Sequence, residues 1–379
     1  MPPFPVTPMS PMSRRSWLAG ALALGAGMPA DAADMTEPMR FPRDFGAHRD
    51  SRTEWWYITG HGMQGSRAFG FQITFFRSLV PATQGLLSPF AARHLVFAHA
   101  AVTDIAAGRQ LHDQRIARWS GLPASEDGFG RAFAADGDTD LRLGTGTDAW
   151  TLRRIGDARY RARAVSDRFS IDLELQTTQP TLLQGRAGLS QKGPEPQQVS
   201  RYYSVPQMRA SGGIDIGGKR YLLDEPAKGH NAAWLDHEWS DEFLPPEAVG
   251  WDWLGINGFD GFALTVFRLR RADGSALWAG GSWRSGGKLQ TFAADSVKFE
   301  VLRRWTSPHT GAHYPVALKL ATPAGTFSLH ALLDDQELDS RDSTGAVYWE
   351  GLSELRDDAG QAIGRGYLEL TGYQSALRL

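Results

Sequence analysis

Apolar residues recur at a period of two along much of this chain. In Ala68–Arg77, Phe69, Phe71, Ile73 and Phe75 fall on one face, which predicts a strand and excludes a helix. Arg168–Gln176 alternates in the same way, with Phe169, Ile171, Leu173 and Leu175 opposite Asp172 and Glu174. His94–Asp104 reads as an apolar strand ended by a turn at Ala107-Gly108. Trp150–Arg154, Tyr160–Ala164 and Arg168–Gln176 follow one another at the spacing of a meander or barrel.

Gln184–Gln198 is polar and rich in Gly and Pro, and reads as a long loop. Arg201–Val205 is a strand, and Gly212–Lys219 holds a Gly-rich hairpin. The second half continues with strands over Phe262–Arg270, Leu277–Trp283, Val297–Arg303, Val316–Ala321, Thr326–Ala331, Val347–Leu352 and Tyr367–Tyr373. The best helical candidate is one short segment, Pro81–Phe97. The expected fold class is therefore all-β: two tandem lipocalin-like antiparallel barrels or strongly curved sheets, with few short helices. Closed sheets remove unpaired edges and leave an interior able to hold a ligand. The expected boundaries are 33–210 for the first domain and 211–379 for the second, although the loop before 210 also reads as an excursion within one domain.

The first 32 residues read as an address. Ser13-Arg-Arg-Ser-Trp-Leu18 matches the twin-arginine export pattern, an apolar run from Trp17 to Met28 follows, and Ala30-Asp-Ala32 offers a small-x-small cleavage site. Met1, Met9 and Met12 are all candidate starts. The expectation is export to the periplasm, cleavage near Ala32 and no integral membrane segment afterwards. With Cys 0, disulfides, thiolate metal sites and cysteine nucleophiles are excluded. A formal net charge of -2 without a basic stripe argues against nucleic acid. The 13 Trp residues suit a chain that encloses an apolar molecule.

Those indoles cluster with acids. Trp234-Leu-Asp-His-Glu-Trp-Ser240 and Gly250-Trp-Asp-Trp253 bring together Asp236, His237, Glu238 and Asp252 with Trp239, Trp251 and Trp253. The pairing recurs in Glu54-Trp55-Trp56-Tyr57 and in Tyr348-Trp349-Glu350. A carboxyl in an aromatic wall loses hydration, so it finds a partner or takes up a proton. Asp236, His237, Glu238 and Asp252 are the catalytic candidates; the remaining members of these segments are ligand-binding candidates. The alternative for Asp236, His237 and Glu238 is a buried polar network. On a strand Asp236 and Glu238 point one way and His237 the other, and Asp252 points away from both neighbouring rings, as a salt-bridged structural acid would. His309-x-x-x-His313 has ligand-like spacing but sits in a Pro- and Gly-containing loop, so no metal and no cofactor are expected. HExxH, P-loop, GxGxxG and GxSxG motifs are absent, which leaves hydrolase, nucleotide and dehydrogenase readings without support.

The chain resembles the AttH-like family, an exported branch of the superfamily that includes carotenoid 1,2-hydratase. The resemblance rests on the following segments, in family order: Glu54–Gly60, Phe69–Arg77, Gly185–Gly193, Arg201–Ser204, Ala233–Ser240, Gly250–Trp253, Tyr348–Gly351 and Gly366–Tyr373. It implies tandem lipocalin-like domains and cofactor-free, acid-catalysed hydration of an isolated isoprenoid double bond, with isomerisation as a related outcome. It also implies importance for the Asp-His-x-Trp motif, here Asp236, His237 and Trp239. The hydratase branch then carries a Tyr-Trp-Asp triplet, whereas Thr265-Val-Phe-Arg-Leu269 has no acid. Glu238, Asp252 and Glu350 are the acids available to stand in. AttH-like members tend to accompany envelope ABC-type exporters, so the rival expectation is a non-catalytic lipid carrier or accessory protein of such a transporter.

Overall fold

The computed structural model describes residues 37–123, 130–224, 231–242 and 244–377. The twin-arginine pattern and the cleavage point near Ala32 lie outside them. Two antiparallel sheets account for the fold, and no α-helix occurs among the described residues. The first sheet contains β1 (Thr53–Gln64), β2 (Arg67–Leu79), β3 (His94–Asp104), β4 (Arg109–Trp119), β5 (Ala132–Ala134), β6 (Asp140–Leu143), β7 (Trp150–Ile155), β8 (Arg159–Val165) and β9 (Phe169–Gln176). It also holds β10 (Leu182–Leu183), β11 (Leu189–Gln191), β12 (Val199–Ile216), β13 (Lys219–Leu222) and β14 (Ala232–Ser240). The second contains β15 (Gly250–Gly258), β16 (Ala263–Arg270), β17 (Ala276–Ser285), β18 (Lys288–Phe292), β19 (Lys298–Thr306), β20 (His313–Thr322), β21 (Gly325–Ala331), β22 (Glu337–Ser340), β23 (Ala346–Arg356) and β24 (Ala362–Leu370).

The first sheet runs β4-β3-β2-β1-β14-β12-β9-β8-β7-β6-β5 and nearly closes into a barrel. Arg115 on β4 spans the seam, donating to the carbonyls of Asp148 (2.6 Å) and Val165 (2.8 Å). The phenylalanines and isoleucine at 69, 71, 73 and 75, and the apolar positions 169, 171, 173 and 175, all point into this barrel and are buried. Period-two burial of that kind is what fixes strand register, because a one-residue slip would expose the whole set. The second sheet runs β18-β17-β16-β15-β24-β23-β21-β20-β19 around a core of its own, including Leu254, Ile256, Val316, Leu318 and Leu368.

Two expectations need correction. Pro81–Phe97 is not a helix: Pro81–Thr83 makes a single 3-10 turn and His94–Phe97 already belongs to β3. The change of sheet falls between Ser240 and Gly250, not near residue 210. The reason is β12, one strand of 18 residues that straddles 210, pairing with β14 through its first half and with β9 through its second. The long loop before it also contains the short strand β11, laid along β12.

The register shift in β12 between Val205 and Met208 places Gln207 at φ 59, a left-handed conformation rarely held by a non-glycine residue. Its backbone N–H donates to Asn257 Oδ1 (2.7 Å), and its side chain donates to the carbonyls of Gly258 (2.9 Å) and Phe262 (2.6 Å). The bulge is thus bolted to the second sheet. Gln207→Ala keeps the backbone strain and loses the two side-chain bonds. We expect a loss of about 1–3 kcal/mol in urea unfolding, with earlier separation of the two sheets; an unchanged midpoint would show that the bolt carries nothing.

Candidate functional site

Strand alternation sorts the acids and indoles into three separate environments. On β14, His237 and Trp239 face into the first barrel, whereas Trp234, Asp236 and Glu238 face the second sheet; the strand has no bulge across these residues. On β1, Glu54 and Trp56 face in, and Trp55 and Tyr57 face out. On β15, Asp252 points into the second core while Trp251 and Trp253 point at the first sheet.

Inside the first barrel, Glu54 is the hub. Its Oε1 accepts from His48 (Nδ1, 2.8 Å) and His237 (Nε2, 2.8 Å), and its Oε2 accepts from Arg77 (Nε, 2.9 Å). Burial alone would raise its pKa, but the bonds from His237 and His48 and the Arg77 charge hold it well below the usual carboxylate range. Burial also keeps His237 neutral, lowering its pKa to about 4, and Tyr203 OH lies 3.0 Å from its Nδ1. Trp56 stacks on His237 (4.4 Å) and Trp239 on His48 (3.7 Å). His48, Glu54 and His237 could offer three metal-ligand atoms within 4.8 Å of one another. Every one of those atoms is already engaged, and the buried guanidinium of Arg77 opposes an added cation. The network is complete as a structural unit.

The second environment lies between the sheets, where β1, β12 and β14 face β15, β23 and β24. Asp236 accepts from Ser204 (2.5 Å) and Trp234 Nε1 (2.7 Å) at Oδ1, and from Tyr202 OH (2.7 Å) at Oδ2. Trp253 Nε1 in turn donates to Tyr202 OH (3.2 Å). Burial raises the Asp236 pKa to about 7 despite those three donors. Glu238 accepts from Ser200 (2.5 Å) and pairs with Lys192 (2.9 Å), whose ammonium lies over the rings of Phe267 (4.4 Å) and Tyr202 (4.7 Å). Across the gap, Glu350 and Glu369 are cross-strand neighbours on β23 and β24, in the same row as Trp253. Burial, then repulsion by Glu369, pushes Glu350 well above the carboxylate range; burial also raises Glu369, to about 7. The nearby hydroxyls of Tyr57 and Tyr348 offset only part of the Glu350 shift. Trp55, Trp251 and Glu369 are half-buried, so this face opens towards solvent at its rim. Gly255 makes the aromatic wall possible: a Cβ there would stand 2.4 Å from the Trp253 ring and 3.2 Å from Trp234.

The proposed residues therefore divide. Asp236, Glu238, Trp55, Tyr57, Trp251, Trp253, Tyr348 and Glu350 meet at the inter-sheet face. Glu54, Trp56, His237 and Trp239 do not join them, because odd and even positions of one strand face opposite ways. Asp252 and Trp349 lie in the second core. Asp252 is bound by Arg268 (2.7 Å), Arg270 (2.8 Å) and Tyr373 OH, and Trp349 Nε1 donates to the Asp334 carbonyl (2.7 Å). His309 and His313 hold Asp335 and Thr306 separately. Pairing of Glu54 with Arg77, which would make Glu54 structural, is an alternative the sequence offers, and the geometry has it. Sequence reasoning missed Glu369, Tyr202, Ser204 and Lys192 at the inter-sheet face, and His48 and Tyr203 in the barrel. Five of these six sit in segments that carried the family resemblance and could have been flagged; His48 alone needed the fold.

The Asp236 shift has a pH signature. A carboxyl with a raised folded pKa contributes stability that is fully present below its unfolded value and lost as pH rises through about 7. Asp236→Asn has no such loss. Between pH 4 and pH 8 its stability relative to the wild type is expected to improve by on the order of 2–4 kcal/mol, whatever the constant cost of the amide. Urea midpoints at both pH values test this; parallel pH profiles would place Asp236 in the ordinary carboxylate range.

Comparison with known proteins agrees with this architecture. The family model described as AttH-like matches residues 32–373. A crystal structure from Nitrosomonas europaea that carries the AttH designation is 42% identical, covering 89% of this chain and 98% of its own, with a TM-score of 0.78. Kievitone hydratase from Nectria haematococca shares the fold at 15% identity and a TM-score of 0.64, covering 89% of this chain and 94% of its own. CghA, in a structure with Sch210972, shares it at 12% identity and a TM-score of 0.50, covering 86% and 89%. No curated protein matches the sequence.

Proposed function

The chain belongs to the AttH-like family, and from that membership and the inter-sheet geometry we propose that it binds an apolar, unsaturated molecule between its sheets and hydrates or isomerises it by proton transfer. The observation that carries this reading is Glu350: a buried carboxyl with a free Oε1, paired across strands with Glu369 and faced by Trp253 and Tyr57. A buried carboxyl whose pKa is pushed well above the ordinary carboxylate range is what an acid catalyst requires. The Glu350 proton passes to one alkene carbon and the other carbon becomes a cation. Water then adds to that carbon and surrenders a proton to Glu350 or Glu369, which restores the acid. Loss of a neighbouring C–H proton instead gives the shifted alkene. Aromatic faces at Trp55, Tyr57, Trp251 and Trp253 favour the cation by about 1–2 kcal/mol per desolvated ring. Kievitone hydratase shares the fold, which makes hydration a reasonable chemistry to test first.

The test is native mass spectrometry of protein purified gently from its own envelope fraction, followed by incubation of the captured molecule with fresh protein. The reading expects a bound mass in the lipid or isoprenoid range, and a product heavier by one water or of equal mass and altered retention. An apo-protein mass with no retained molecule would count against the ligand site. The accompanying proposal is that the protein works in the periplasm after twin-arginine export.

One observation favours a carrier that does no chemistry. Leu86, Leu87 and Phe90 are exposed on the segment between β2 and β3, with Arg93 and Arg118 beside them. An apolar tip with basic flanks suits a lipid surface or a membrane-bound partner such as an envelope ABC-type transporter. Flotation with anionic vesicles, lost in Leu87→Asp, would support that role; indifference of binding to the substitution would remove its basis.

A further inference from the structure

The inter-sheet face is aromatic, yet polar atoms inside it lack partners, among them the hydroxyls of Tyr57 and Tyr367 and one oxygen of Glu350. The hydroxyl of Tyr57 and Oε1 of Glu350 are buried and make no hydrogen bond of good geometry; the two groups approach each other closely enough only for a weak one. Tyr57 is 6% exposed and Glu350 1% exposed, so solvent does not serve them freely. Native proteins rarely leave such groups unpaired, and those they leave call for an explanation. The neighbouring polar groups already hold partners of their own. Tyr348 OH is held by His99 Nδ1 (2.8 Å), Trp253 Nε1 donates to Tyr202 OH (3.2 Å), and the Trp253 ring meets Tyr57 edge-on at 5.1 Å.

We propose that Tyr57 OH and Glu350 Oε1 together receive a hydroxyl group of the ligand, so that the ligand is an apolar alcohol oxygenated beside its reacting carbons and not a plain hydrocarbon. This rests on the inter-sheet ligand site described above and narrows its substrate class. The chemistry suits a hydroxyl. A ligand hydroxyl accepts from Tyr57 OH and donates to Glu350 Oε1, which leaves the single carboxyl proton on the other oxygen for the alkene. A carbonyl accepts from Tyr57 alone and leaves Oε1 unpaired. A site built to bond an oxygen discriminates strongly against the analogue without one, because its own buried groups then stay unpaired. An oxygen held at Glu350 also sets the alkene beside the proton that the acid delivers.

The experiment compares farnesol with farnesene, an alcohol and a hydrocarbon of matched skeleton, by tryptophan quenching of the full chain and of Tyr57→Phe. The expected result is a preference of at least tenfold for farnesol in the wild type. In Tyr57→Phe that preference falls to about threefold or less, farnesene affinity is unchanged, and the variant melts no lower than the wild type. The melting readout needs no ligand: a hydroxyl with no more than a weak partner contributes little to the empty fold. Equal binding of the two probes by the wild type overturns the oxygen subsite, as does a preference that survives Tyr57→Phe. A clear drop in melting temperature also overturns it, since Tyr57 would then be held by the protein or by a structural water. If neither probe quenches fluorescence, the inter-sheet ligand site itself fails and the subsite fails with it.

Discussion

Arg77→Met is expected to lower stability by about 3–5 kcal/mol, seen as a fall on the order of 10 °C in the first thermal transition. Arg77 is fully buried on β2 and bonds Glu54 through Nε at 2.9 Å. Its Nη2 donates to the carbonyls of His48 (2.7 Å) and Ser51 (2.8 Å), and its Nη1 lies 3.2 Å from His94 Nδ1. Methionine fills much of the volume but leaves a buried carboxylate short of its charge partner and two carbonyls without donors. Removing one member of a buried pair costs far more than the pair contributes as a whole. The sign with pH follows from Glu54. Its folded pKa lies well below the usual range, so its contribution is present above the unfolded carboxylate pKa and disappears as pH falls through the folded value. Without Arg77 the folded pKa rises, and acid unfolding should begin at higher pH. Urea unfolding at pH 7 with an acid titration checks both points. A loss below about 1 kcal/mol would mean that the barrel tolerates a free Glu54, and the reading of this network as structural would fall.

The strand pattern was legible wherever one face of a strand is buried and the other is not. β2 and β9 could be read residue by residue for that reason. β4 could not: Arg109-Gln-Leu-His-Asp-Gln-Arg-Ile-Ala-Arg-Trp119 is mostly polar because it forms the seam of the barrel, and Arg115 bonds across the seam where a central strand would bury apolar side chains. The sheet boundary was hidden by the length of β12, since nothing local marks the residue at which a strand changes neighbours. Pro81–Phe97 looked helical by the absence of alternation, yet its polar and proline positions serve a surface crossing between β2 and β3.

The site was legible as a set of segments and not as a set of faces. Trp-acid clusters named the right strands, and simple alternation already separated His237 from Asp236 and Asp252 from its flanking indoles. What a single sequence could not supply is which outward faces meet. Glu369 becomes meaningful only when β24 lies between β15 and β23, which sets it beside Glu350 and Trp253. The meeting of the sheets is itself written in glycine: at Gly70 a Cβ would stand 2.6 Å from the Tyr367 hydroxyl, so the close approach of β2 to β24 requires its absence. The Thr265–Leu269 strand that lacks the hydratase acid places Phe267 in the row of Trp253, Glu369 and Glu350. An acid is therefore still present in that row, carried by different strands.

Glu350→Gln is expected to reduce turnover of the captured molecule by about a hundredfold to ten-thousandfold while leaving its binding within a few-fold of the wild type. The amide has nearly the same shape and keeps an accepting oxygen towards the ligand, but it has no acidic proton to give an alkene. Glu369→Gln separates the roles of the pair. If Glu350 is the donor and Glu369 its partner, Glu369→Gln removes the repulsion that helps to raise the Glu350 pKa, so the high-pH limb of the rate profile should move to lower pH with activity retained below it. If Glu369 is the donor, the losses exchange places. Asp236→Asn should act on binding and geometry more than on the chemical step, because both carboxylate oxygens are already engaged by Ser204, Trp234 and Tyr202. Single-turnover rates and ligand affinities for the three variants decide among these arrangements. Undiminished turnover in Glu350→Gln and Glu369→Gln alike would leave the inter-sheet face as a binding surface, and the carrier reading would take precedence.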